Sequence, residues 1–280
     1  MEFYYAKLNF FDTIYSLLPE EAVLSGSRIE VLEEGMKIAT SVTSQGSKFM
    51  FADVSREIIE GESYLYGKIV KYADRKEKVA NVEELTTDSV IVPDRILSES
   101  HFVIEFKENF LLYTESKSHL NKNSFIVKFN DLISKVLIRA TFNCEAYPVS
   151  DQYSFFNRLS DLQEVLELEL TIFPTNPFPS KVIEEIDNVL KEQNVKVKYT
   201  KYKAKPGGLN VKDKEIKENS TYADIGYGKG QARGIDKSGN AVRISSQKSD
   251  KQRSVTIDPK SRNPFDILQE INNRINEKNK

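Results

Sequence analysis

The sequence predicts an α+β protein made mostly of antiparallel sheets, with a strand–helix–strand unit and a glycine-rich hairpin in its C-terminal half. Three observations carry that prediction. Short runs of alternating apolar and polar residues, parted by turns, recur as far as Thr114. At Val165–Phe173 the run VLELELTIF alternates as a half-buried strand should, and an apolar helical face at Ser180–Gln193 and a second strand at Val195–Lys203 follow it. Finally, the glycine-rich stretch GYGKGQARG precedes the turn tetrad Asp236–Lys237–Ser238–Gly239 and a further strand-like run, Ala241–Ser246.

Taken in order, FYYAKLNF at 2–9 reads as a first strand and Asp12–Leu18 as a short helix that Pro19 stops. Arg28–Glu33, Met36–Thr43 and Lys48–Val54 read as three strands of a meander, which Tyr64–Tyr72 extends. The charged segment Asp74–Glu84 reads as a solvated connection. Strands are expected again at Ser89–Val92, His101–Phe106 and Phe110–Thr114. Leu132, Ile133, Val136 and Leu137 fall at helical spacing, so Ser124–Lys135 is expected to turn into a helix, and Asp151–Leu162 is another. Pro174 and Pro177 break the chain after VLELELTIF. Tyr222–Ile235 and Ala241–Ser246 are expected to pair as a hairpin, with Arg253–Asp258 as a third strand. Asn263–Pro264 supplies an N-cap and a first-turn proline for a last helix with Phe265, Leu268, Ile271 and Ile275 on its apolar face.

A boundary is expected at Tyr147–Pro148, giving an acidic β-rich N-terminal domain over 1–147 and a basic α+β domain over 148–280. Charge separates the two. From Lys196 onward, fifteen Lys and five Arg stand against ten Asp and Glu, a net of +10, whereas twenty basic and thirty-two acidic residues leave positions 1–195 at −12. The overall charge of −2 hides this asymmetry, which points to an anionic partner or an acidic surface. No apolar run approaches the ~20 residues of a membrane helix, and MEFYYAKLNFF lacks the basic and apolar regions of a signal peptide. Cys144 is the sole cysteine, which excludes an internal disulfide and cysteine-based metal clusters. A cytoplasmic protein with no membrane insertion is expected.

The basic segment holds the leading candidate site. Lys196, Lys198, Lys201, Lys203 and Lys205 with Tyr202 could neutralise phosphates while a ring stacks on a base, although an edge strand guarded by lysines gives the same pattern. In this reading Val195, Val197 and Tyr199 form one face of the strand, and Lys196, Lys198 and Tyr202 the other. Among the hairpin glycines lie Tyr227, Lys229 and Arg233, and Arg243, Lys248, Lys251 and Arg253 follow. Glycines here would either admit a nucleic-acid backbone or merely relieve crowding in a bulged hairpin. The spacing fits neither a dinucleotide fingerprint nor a phosphate loop.

An enzymatic alternative rests on Asp94, Glu105 and Lys107, since PDRILSESHFVIEFK contains the PD…ExK pattern of metal-dependent nucleases. There the two carboxylates would hold Mg²⁺ and the lysine would stand near the attacking water. Glu105 and Lys107 are equally the solvent face of an amphipathic strand. A third reading is a protein-interaction module whose basic face docks an acidic partner or the acidic half of another copy. No cofactor is required by the first or third.

The order of elements, with the N-terminal meander, the FVIEFKENFLLYT hairpin, the helix FNDLISKV and the block LELTIFPTNPFPSKVIEEIDNVL, resembles that of RexA-like phage-exclusion proteins. The resemblance implies a DNA-binding homodimer acting in prophage-encoded antiviral defence or abortive infection, with a partner protein from the same defence system. GYGKGQARG is where the chain departs most from that pattern. The expected function is therefore non-catalytic nucleic-acid binding, DNA ahead of RNA.

Overall fold

The computed structural model describes residues 1–12, 26–38, 40–81, 86–116, 120–150, 154–174, 188–247, 252–259 and 263–278. They form an α+β protein with two antiparallel sheets, of eight and four strands.

The first sheet comes from β1 (Glu2–Asp12), β2 (Ser41–Ser44), β3 (Ser47–Ile59), β4 (Glu62–Asn81), β5 (Thr86–Glu105) and β6 (Phe110–Tyr113), with β7 (Phe142–Pro148) and a late strand, β12 (Ser254–Thr256). Its order is β12-β1-β6-β5-β4-β3-β2, and β7 pairs with the far end of β1. Both faces are covered, because strand alternation sends neighbouring residues to opposite cores. Ala6, Leu8, Phe102, Ile104, Leu111 and Tyr113 pack under α1 (Arg28–Lys37) and α2 (Lys122–Val136). Phe3, Tyr5, Tyr64, Tyr66, Val103 and Leu112 pack instead with Ile267, Leu268 and Ile271 of α6 (Pro264–Lys278). The Asn263 carboxamide accepts the Asp266 amide at 2.8 Å, so the expected cap opens that last helix.

Three local expectations are corrected. Arg28–Glu33 and the start of Met36–Thr43 are helical, not strands. Val31, Leu32, Gly35 and Met36 are buried at helical spacing, and Ser27 with Glu30 forms a capping box. Asp74–Glu84 is not a loose connection as far as it is described. β4 runs on to Asn81 and pairs with the start of β5, so the expected strands at Ser89–Val92 and His101–Phe106 belong to one long β5, whose last residue is Glu105. Arg253–Asp258 does yield a strand, but β12 joins β1 in the first sheet. The expected boundary at Tyr147–Pro148 coincides with the last two residues of β7, which pairs with β1. Asp12–Leu18, most of the expected helix at Ser180–Gln193 and His119 lie outside the described residues.

The four-stranded sheet has the order β11-β10-β8-β9, from β8 (Glu164–Ile172), β9 (Lys198–Lys203), β10 (Gly228–Ile235) and β11 (Ala241–Ser245). Between β8 and β9, residues 188–192 are helical (α4). On one face α3 (Ser154–Asp161) and α5 (Lys214–Asp224) cover Val165, Leu168, Leu170 and Ala232, with Phe155, Leu159 and Ile216 completing the core. The helix α5 takes in Tyr222–Asp224, which the sequence places at the start of the hairpin, and its N-cap Asp213 accepts the Glu215 and Ile216 amides. Among the described residues no helix is long and apolar enough to cross a membrane.

Candidate nucleic-acid interface

The other face of the four-stranded sheet carries the site. Register places Thr171 between Tyr199 and Lys229, Glu169 between Lys201 and Gln231, and Glu167 between Lys203 and Arg233. Beyond them Gln231 faces Ser245, and Arg233 faces Arg243. One surface thus gathers five cations from three strands around the two carboxylates of β8.

Its charges are unequally occupied. The Lys201 ammonium sits 2.7 Å from Glu167 Oε1 and 2.5 Å from Glu169 Oε1. Hydrogen bonding to Lys201, ahead of any other cause, holds the Glu167 carboxyl below its usual range, and Arg233 adds to this through space. Lys203, Lys229 and Arg243 form no ion pair among the described residues. Arg233 and Arg243 are a directly opposed like-charge pair, with Cα atoms about 4.5–5.5 Å apart in such a ladder, an arrangement that is destabilising by itself.

Tyr199 stands opposite Lys198 and Tyr202 as expected, the open face is the one that carries Tyr199, and of the two readings of the glycines crowding is the one that fits. In β9 it is Lys198, Thr200 and Tyr202 that turn toward the helices, while Tyr199 stands 60% exposed on the outward face beside Lys201 and Lys203. Tyr202 packs against the core of Phe155 and Leu168, and Lys198 pairs with Glu215 of α5 at 3.1 Å. The hairpin glycines also face inward. A Cβ on Gly230 would stand 2.4 Å from the Phe155 ring, and one on Gly228 would stand 2.3 Å from the Thr171 carbonyl oxygen. Close packing against α3 and β8 requires these glycines, so they relieve crowding and do not admit a ligand.

Other expected residues disperse. Lys196 and Lys205 are exposed on either side of β9. Tyr227 is buried beneath the Lys7 ammonium, 4.9 Å from its ring centroid, and is closed to a base. Arg253 lies at the first sheet, its guanidinium 4.6 Å from the Tyr5 ring centroid. Lys248 and Lys251 lie outside the described residues.

The Asp94–Glu105–Lys107 set does not converge. Asp94 and Glu105 are eleven positions apart on the single strand β5, roughly 35 Å of extended chain. Glu105 is buried and accepts the Lys107 and Glu108 amides at 2.5 and 2.9 Å, which fastens the β5–β6 turn. Burial pushes its carboxyl upward. The Lys107 ammonium reaches away to Glu62 at 2.9 Å. Among the described residues no cluster of three His, Cys, Asp or Glu is placed to hold a metal ion.

What the sequence reading missed is the wall opposite the sheet. A cleft of 410 Å³ opens between α2 and the β8–β10–β11 face, with Asn123, Ile126 and Val127 on the helix side and Pro148 at the end of β7. Gln231, Arg233, Arg243, Glu167 and Glu169 form its floor, and Arg158 and Gln247 stand at its margin. Arg158 Nη2 donates to the Ser245 carbonyl at 2.7 Å, tying α3 to the edge strand β11. Val127, 54% exposed on an otherwise amphipathic helix, was the one sequence-visible sign of this wall.

A family model described as a domain of unknown function (DUF4747) matches residues 30–273, and the chain belongs to that family. The match spans every described candidate residue. No curated protein matches the chain.

Proposed function

We propose that this member of the DUF4747 family binds nucleic acid on the outward face of its four-stranded sheet, with single-stranded DNA ahead of RNA. One observation carries the reading: Lys203, Lys229, Arg233, Arg243 and an exposed Tyr199 share the sheet face opposite α3 and α5, where α2 walls only the cleft over β8, β10 and β11. An open sheet suits a single strand, because its bases can stack on an aromatic ring while its phosphates follow the flanking cations. Here Tyr199 offers the ring and β9, β10 and β11 offer the charge. Lys201 is committed to Glu167 and Glu169, so its part is to neutralise the central strand where a polyanion would otherwise be repelled.

The resemblance of the sequence to RexA-like proteins suggests the setting of the proposal. In it the chain acts in the cytoplasm as a homodimer, in defence against infecting phage alongside a partner protein of the same system. No catalytic step is assigned. Equilibrium binding of labelled single-stranded DNA, duplex DNA and single-stranded RNA at ~50 mM salt tests the core of this, since phosphate contacts are strong there. Single-stranded DNA should bind best, and failure of all three to bind would sink the proposal.

A further inference from the structure

We infer that the cleft between α2 and the β8–β10–β11 face is a nucleotide subsite, holding one phosphate between Arg233 and Arg243 and laying the attached base along Ile126, Val127 and Pro148. Three independent features converge on this ligand class. The opposed arginines form a like-charge pair that an anion between them would relieve, and a phosphate can take charge-assisted hydrogen bonds from both guanidinium groups at once. Facing them is an apolar wall, in which Val127 is exposed to solvent although it has a hydrophobic side chain. A bare phosphate or the carboxylate of an acidic peptide would leave that wall wet. The volume of 410 Å³ falls in the range of about 300–1,000 Å³ typical of small-ligand sites, which suits a phosphate with a flat body attached.

The polar margin fits the same ligand. Gln231, Gln247 and Asn123 present amide groups around the cleft, able to donate to and accept from the edge of a base. Glu167 and Glu169 lie on the floor beside the arginines, each with its Oε1 held by the Lys201 ammonium, so the two arginines keep the anion-binding role. The source of the nucleotide is either a free monophosphate or one unit of a strand lying across the sheet. The second case rests on the proposed nucleic-acid reading, and the first does not.

The test titrates the full chain with a purine nucleoside 5′-monophosphate, with inorganic phosphate and with a short single-stranded oligonucleotide. It uses the wild type, Val127→Asp, which sets a carboxylate on the exposed apolar wall, and Lys203→Gln on the distal strand. The monophosphate should bind at least about tenfold more tightly than inorganic phosphate, a difference of ~1.4 kcal/mol that the base contacts supply. Val127→Asp should erase that advantage and weaken the oligonucleotide too, whereas Lys203→Gln should weaken the oligonucleotide alone. Equal binding of phosphate and monophosphate, or an unchanged Val127→Asp, overturns the subsite even when the oligonucleotide still binds the sheet. Monophosphate binding without any oligonucleotide binding keeps the subsite and sinks the polymer reading. If neither ligand binds, both fall.

Discussion

Arg233 and Arg243 stand directly opposite each other across the β10–β11 ladder, both exposed and both on the floor of the same cleft. Like charges opposed in this way weaken a sheet by about 0.2–1 kcal/mol. Replacing Arg243 with Gln should therefore raise the urea midpoint at low salt while lowering affinity for nucleic acid. Loss of both stability and binding would show that the pair is held by contacts other than an absent anion.

The inward-facing glycines give a packing prediction. Gly230→Ala sets a methyl against the Phe155 ring in a filled core, and overpacking of that kind costs about 1–3 kcal/mol. Gln231→Ala, one residue on and facing solvent, should stay within about 0.5 kcal/mol of the wild type. Denaturant unfolding of the two variants checks the pairing, and equal effects would contradict the assigned strand faces.

Asp224 predicts a pH effect on stability. Its carboxyl is fully buried, accepts the Phe155 amide at 2.8 and 2.9 Å at the start of α3, and is pushed up from 3.8 to about 7, chiefly by burial. A folded-state value above the unfolded one means that the native protein holds the extra proton. This stabilisation is complete below about pH 4 and is lost as pH rises to about 7, amounting to ~4 kcal/mol at most. Lys7 acts in the opposite sense. Burial, against the attraction of Glu108 and Glu105, lowers it to about 8, so its contribution grows as pH climbs from 8 toward 10.5. Subtracting the urea midpoints of Asp224→Asn from those of the wild type isolates the first effect, and a flat difference between pH 4 and 7 would rule it out.

Much of the fold is legible in the sequence. β8, β1 and α6 show because alternation or capping is strong: VLELELTIF can only half-bury one way, and Asn263–Pro264 opens a helix in the expected order. RIEVLE alternates over a few residues and so reads as a strand, although Ser27 and Glu30 spell the capping box of α1. The outer part of the β4–β5 pair carries no strand signal, since Arg75, Lys76 and Lys78 stand exposed and impose no period of two. β12 could be seen as a strand, but three residues do not name a partner.

The candidate site was legible by composition and not by geometry. Charge placed it in the last third of the chain, yet the bulge at Arg233/Gly234 and the inward turn of Tyr202 decide which side chains share a face. The α2 wall lies some hundred positions away in sequence, and only the fold brings Val127 to Arg243 in one cleft.

The carboxylates of β8 should oppose a polyanion. Glu167→Gln combined with Glu169→Gln removes two negative charges and releases Lys201 from its ion pairs, so nucleic-acid affinity should rise several-fold at low salt. An unchanged or weaker affinity would place the bound strand away from β8.

The most direct test is the salt dependence of single-stranded DNA binding by the wild type and by Arg233→Gln/Arg243→Gln, measured from ~50 to ~200 mM salt. If both arginines contact phosphates, affinity should fall and the slope of log K against log salt should drop by about 1 for each lost contact. A wild type that does not bind, or a double variant with the same affinity and slope, would contradict the account.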